Sequence, residues 1–231
     1  MELELLEQSV EENTLNHDIL KTRQRAERDS FTPNLSIRVH RALSWLKKSE
    51  QCEDDDSRFT FLWIAFNAAY AQEWSQCSAI PEKDRYQTFI DKLVSIDKAG
   101  KLQHLVWDEY SGPIRCILEN EFILQAFWEF KSGRLQEQEW RTKLRTAKQA
   151  ANHALANTDT SKVLSIVFTR LYTLRNQIIH GGSTFGSSAN RSQLRDCTNF
   201  LQKVIPIVIY LMMDGKNEVW GDPVYPLVNS M

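Results

Sequence analysis

One segment constrains this chain more than any other: between Phe61 and Tyr70 the only polar residue is Asn67. Phe59, Leu62, Trp63, Phe66 and Tyr70 fall at i, i+3, i+4, i+7 and i+11, the period of a helix. Ile64, Ala65, Ala68 and Ala69 occupy the remaining sides. A helix that is apolar around its circumference has to be surrounded by other elements, so the segment predicts the centre of a helical bundle. Ahead of it, Asp54-Asp55-Asp56-Ser57 supplies N-cap chemistry, since carboxylates suit the positive start of a helix.

The rest of the chain agrees with a helical reading. Strand-rich folds need many tight turns, and 8 Gly and 6 Pro in 231 residues are few for that. The expected class is all-α, a helical bundle. Further helices are expected over 36–50, with Val39, Leu43 and Leu46 inward, and over 82–97, 101–110, 113–130, 135–156, 160–180 and 190–213. Pro206 should kink the last of these or unwind it locally. Three segments are expected: 1–35 as a charged N-terminal arm or helix, 36–213 as the helical domain, and 214–231 as an irregular tail that straps back.

Composition narrows the function classes. A net charge of −2 argues against a protein living on duplex DNA, so any nucleic-acid contact has to be local. Cys52, Cys77, Cys116 and Cys197 lack the short spacing of a zinc or redox motif, and reduced thiols are expected. His17, His40, His104 and His153 show no ligand-like spacing with acids, so no metal and no cofactor is expected. The acidic start carries no signal-peptide pattern and the longest apolar run is too short to span a bilayer, so a cytoplasmic protein without a membrane partner is expected. On the helix after Gly133, Arg141, Arg145 and Lys148 fall at i, i+4 and i+7, either as a solvated stripe or as a phosphate-facing, RNA-binding patch.

The chemical site is sought at the end of the helix expected over 160–180. Arg175 lies in the row of Leu164, Phe168 and Leu171, near the middle of the apolar face. A guanidinium stays charged, so it must meet an acid, carbonyls, a solvent rim or an anionic ligand. His180 is five residues on, about 140° away on an unbroken helix. Gly181-Gly182 would let the helix unwind and His180 swing round. Asn176 precedes His180 by four and could reach its imidazole or the freed carbonyls.

Arg175-Asn176-Gln177-Ile178-Ile179-His180 resembles the signature of the HEPN superfamily: Arg, often a polar residue, then His after four to six intervening residues. The helix Arg58 to Tyr70 is similar to the early core helix of many bacterial HEPN proteins, including the Apea-like group, and the resemblance covers about 37–213. It implies a HEPN-like bundle with additional helices, commonly a homodimer with the two motifs facing. It also implies a metal-independent endoribonuclease that cleaves RNA by 2′-OH attack, as a toxin or phage-defence effector with an antitoxin or regulatory protein as partner. Arg175 would grip the phosphate, His180 would be acid or base, and Asn176 would orient. Asn67, Arg58 and Tyr70 would support the site from behind. The alternative is a non-catalytic HEPN module that binds nucleotide, RNA or a protein. Gly182 stands where HEPN toxins silenced by nucleotidyltransferase antitoxins often carry Tyr, which argues against that route of control.

Overall fold

The structure is a computed structural model and describes residues 15–71, 82–188 and 191–225. Among these every regular element is a helix and no strand occurs. The chain forms two compact units: one from residues 1–79 and 201–231, the other from 80–200.

The first unit begins with α1 (His17–Glu27), started by the Asn16 side chain accepting from Ile19 N–H at 3.0 Å. Leu20 is fully buried, and Arg23 pairs with Asp214 at 2.6 Å while its guanidinium lies 4.5 Å over the Tyr210 ring. This charged segment is thus docked rather than trailing. α2 (Pro33–Glu50) starts at Thr32, with Pro33 in the first turn where a missing N–H costs nothing. Its inward face is Leu35, Val39, Ala42, Leu43 and Leu46.

α3 (Asp55–Tyr70) is the apolar helix of the sequence. The Asp54 carboxylate caps it by accepting from Ser57 N–H at 2.7 Å. That bond holds the Asp54 carboxyl below its ordinary range. No residue of α3 is exposed, as its circumference requires. α2 packs along it, with Trp45 stacked on Phe61 at 5.6 Å.

Residues 221–225 are bonded to α2. Arg38, 1% exposed, donates to the carbonyls of Ala69 at 2.9 Å and Asp222 at 3.0 Å. It thereby caps the C-terminal end of α3 with a cation. One turn on, Arg41 donates to the carbonyls of Val224 at 2.9 Å and Tyr225 at 2.6 Å. Burial pushes the Arg38 guanidinium down to about 10, which still leaves it charged at neutral pH.

The second unit contains α4 (Glu82–Ile96), α5 (Lys101–His104, continued by a π turn over Leu105–Glu109), α6 (Ser111–Glu119), α7 (Gln125–Lys131), α8 (Glu137–Ala156) and α9 (Thr160–Ile179). α9 is its axis and packs on α4, α6 and α8. Val163, Leu164, Val167, Phe168, Leu171 and Leu174 bury its apolar face. Its start is fixed by the Asp159 side chain accepting from Lys162 N–H and by Trp107 Nε1 donating to Thr160 Oγ1 at 2.8 Å. Phe127 and Trp140 close a smaller cluster between α7 and α8, with rings 5.5 Å apart.

One expectation is corrected. The helix expected over 113–130 is two, α6 and α7, because Asn120 ends the first and its side-chain oxygen accepts from Phe122 N–H at 2.8 Å. The last helix, α10 (Arg191–Asp214), contains Pro206 and is not unwound there. Val204, Ile205, Val208 and Ile209 around it are wholly buried, and that packing outweighs one lost backbone bond.

Candidate functional site

α9 ends in a Schellman motif. Gly181, at φ +68°, donates to the Ile178 carbonyl at 3.1 Å, and Gly182 donates to the Gln177 carbonyl at 2.7 Å. The helix therefore stays wound through Ile179, and His180 is its cap residue (φ −90°, ψ 12°), its N–H donating to the Asn176 carbonyl at 3.1 Å. The expected unwinding at Ile179 does not occur, because both freed carbonyls find partners in the glycines.

His180 is exposed and Arg175 is half-buried. Arg175 Nη1 donates to the Asn176 side-chain oxygen at 2.9 Å, and its Nε is enclosed without a hydrogen-bond partner. Asn176 thus turns its amide to Arg175 rather than to the imidazole. Side chains at 175 and 180 leave a helix about 140° apart, whereas those at 176 and 180 are about 40° apart. The bond to Asn176 draws the guanidinium round toward the His180 side without joining the two. Close by in the sequence are two exposed apolar groups, Ile179 at 50% and Phe185 at 75% exposure. Gln177 Nε2 donates to the Phe122 carbonyl at 2.8 Å and fastens the α6–α7 turn to this end of α9.

The other expected residues lie on α3 and α8. Arg58, Asn67 and Tyr70 all belong to α3, in the other compact unit. Arg58 bonds the Asp55 carboxylate at 3.3 Å and the Cys52 carbonyl. Tyr70 stacks on Phe66 at 5.0 Å. Asn67 is half-buried, and its carbonyl takes the Ala71 N–H that closes the helix. On α8, Arg141 is held by Glu137 at 2.6 Å, and Lys143 by Glu129 at 3.3 Å. Arg145 and Lys148 are exposed, and no ion pair of theirs occurs among the described residues.

Sequence reasoning passed over Arg170. It is 3% exposed, with Nε and Nη1 unpartnered and one long bond of 3.5 Å from Nη2 to the Leu118 carbonyl at the end of α6. Burial pushes it down to about 10, so it too stays charged at neutral pH. Its position in the row Val163, Val167, Leu174 was the signal available in the sequence.

Among the described residues no three His, Cys, Asp or Glu side chains converge to hold a metal ion. Among the described residues no helix is long and apolar enough to cross a membrane. Cys52 and Cys116 are free and partly or fully exposed; Cys197 is buried, which raises its thiol far above the usual range, and Cys77 lies outside the described residues. No protein-family model matches the chain, and neither a curated protein nor a solved structure does.

Proposed function

We propose that this protein is a metal-independent endoribonuclease of the HEPN type, acting as a homodimer in a toxin or phage-defence role. The observation that carries the reading is the Arg175–Asn176 hydrogen bond at the glycine-closed end of α9, beside an exposed His180. RNA brings its own nucleophile. The 2′-oxygen bonds to phosphorus, its proton passes to a base, the bond from phosphorus to the 5′-oxygen breaks, and an acid protonates that oxygen. The products are a 2′,3′-cyclic phosphate and a 5′-hydroxyl. Imidazole serves either proton role near neutral pH, and guanidinium holds the non-bridging oxygens as charge builds.

One chain offers one motif histidine, and its Arg175 and His180 diverge. Two copies with the ends of α9 facing supply two of each, so that the arginine of one copy and the histidine of the other meet a single phosphate. The exposed Ile179 and Phe185 give such a pairing apolar surface.

The test is cleavage of labelled RNA in EDTA by wild type and by His180→Ala. Cleavage by the wild type alone, leaving cyclic-phosphate ends, is the expected result; equal cleavage by both removes His180 from the mechanism. The divergence of Arg175 and His180 favours a second reading, a module that binds RNA, nucleotide or protein without cutting. Stable RNA binding by a folded dimer with no cleavage is its signature.

A further inference from the structure

A second polar site, made by none of the residues of the Arg175–His180 motif, lies between α6 and α8. Arg115, Leu118 and Glu119 from α6 and Lys148, Ala151, Asn152 and Leu155 from α8 line a cleft of about 220 Å³. Sites for drug-sized ligands usually measure about 300–1,000 Å³, so this one suits something smaller. Its polar groups are of three kinds. Arg115 and Lys148 are two exposed cations, one on each wall. Glu119 is an acceptor and Asn152 both a donor and an acceptor. Leu118 and Ala151 make a buried apolar floor.

The buried charge of Arg170 bears on this cleft through Leu118. The cleft opens beside the carbonyl end of α6, and the partial negative charge there repels an anion. Arg170 sits on the Leu118 carbonyl at that end, 3.5 Å away, and no acid pairs with it among the described residues. A guanidinium inside a protein without a counter-charge is costly. Here it offsets the helix end and adds a third cation behind the wall that Arg115 and Lys148 flank.

We propose that the α6–α8 cleft binds a small phosphorylated sugar. The phosphate sits between Arg115 and Lys148, the carboxylate of Glu119 accepts from sugar hydroxyls, and Asn152 bonds a further hydroxyl. A bare phosphate leaves Glu119 unused and facing an anion, whereas a hydroxyl-bearing one uses every polar group of the cleft. The apolar floor takes the carbon face of the ring. The sugar phosphate comes either free or as the 5′-phosphorylated end of an RNA, and the site stands whether or not the chain cleaves RNA.

Isothermal titration calorimetry of the full chain with ribose 5-phosphate tests this, with ribose and inorganic phosphate as comparisons. Ribose 5-phosphate should bind saturably and ribose should not. Arg115→Gln together with Lys148→Gln should weaken it at least about a hundredfold, a factor of ten for each charge-assisted bond lost. Glu119→Gln should erode the preference for ribose 5-phosphate over inorganic phosphate. A tetraribonucleotide with a 5′-phosphate, set against its 5′-hydroxyl twin, separates the two sources. Saturable binding of either phosphorylated probe supports the site. No saturable binding of either, or undiminished binding by the Arg115/Lys148 double variant, overturns it. All of the substituted side chains are exposed, so loss of fold does not confuse the result.

Discussion

The side-chain oxygen of Asn176 holds the guanidinium of the residue before it, Arg175, at 2.9 Å. Successive helical residues point about 100° apart and ordinarily do not pair, so only the length of the arginine makes the bond. Its effect is to swing a cation away from the apolar face and toward the side where His180 stands.

Removing that oxygen should release the cation. With the reading proposed above, Asn176→Ala lowers RNA cleavage about tenfold, the value of one such bond to a charged group. Asn176→Asp keeps an acceptor and restores most of the rate, while thermal unfolding hardly changes in either. Undiminished cleavage by Asn176→Ala would show that Arg175 needs no such guide.

The glycines at the end of α9 are separable by substitution. Gly181 has φ +68°, so Gly181→Ala should cost about 1 kcal/mol in urea unfolding. A methyl group on Gly182 would lie 3.0 Å from the Gln177 carbonyl oxygen and 3.4 Å from its Cα. Gly182→Ala should therefore strain the 2.7 Å bond that closes the motif and raise amide exchange at residue 182 specifically. Unchanged exchange there would mean the turn tolerates the crowding.

Arg170 gives the opposite kind of prediction. Replacing a buried, unpaired cation by an apolar chain of similar length should leave stability unchanged or raise it by up to about 1–4 kcal/mol. Urea unfolding of Arg170→Met measures this. A loss beyond about 2 kcal/mol would instead make the bond to the Leu118 carbonyl a structural necessity.

Glu50 provides a pH test. Burial raises its carboxyl above the ordinary range, against the lowering effect of the His17 N–H that it accepts at 2.8 Å. A carboxyl raised by folding contributes stability below its unfolded pKa and loses it as pH climbs through the folded value. Glu50→Gln keeps an acceptor for His17 without the charge. The variant should match or exceed wild type in melting temperature at pH 7, and wild type should gain ground as pH falls toward about 4. If wild type instead loses ground on acidification, the carboxylate is stabilised by its partners more than it is penalised by burial.

Most helices were legible because their apolar periods are strong: α3 and α9 follow from Phe59 to Tyr70 and from Leu164 to Leu174. The break between α6 and α7 was not, because Ile114, Ile117, Leu118, Ile123 and Phe127 keep apolar density across it and no Gly or Pro interrupts them. Asn120 breaks the helix by offering a side-chain acceptor, a choice that depends on what the neighbouring backbone can reach. At the site, the glycine-ended helix could be read, but the direction of Asn176 could not, since it rests on a bond between side chains. Arg170 was obscured because an arginine in an apolar row can reach solvent as easily as a helix end.

The two arginines that pin the tail have a consequence for how the chain is made. Arg38 and Arg41 find their carbonyl partners at residues 221–225, and Arg23 finds Asp214, nearly the whole sequence away. The unit they belong to draws on both ends of the sequence, while residues 80–200 form a continuous one. During N-to-C synthesis the continuous unit has all of its residues first. Arg23, Arg38 and Arg41 are without these partners on the ribosome until residues 214–225 emerge.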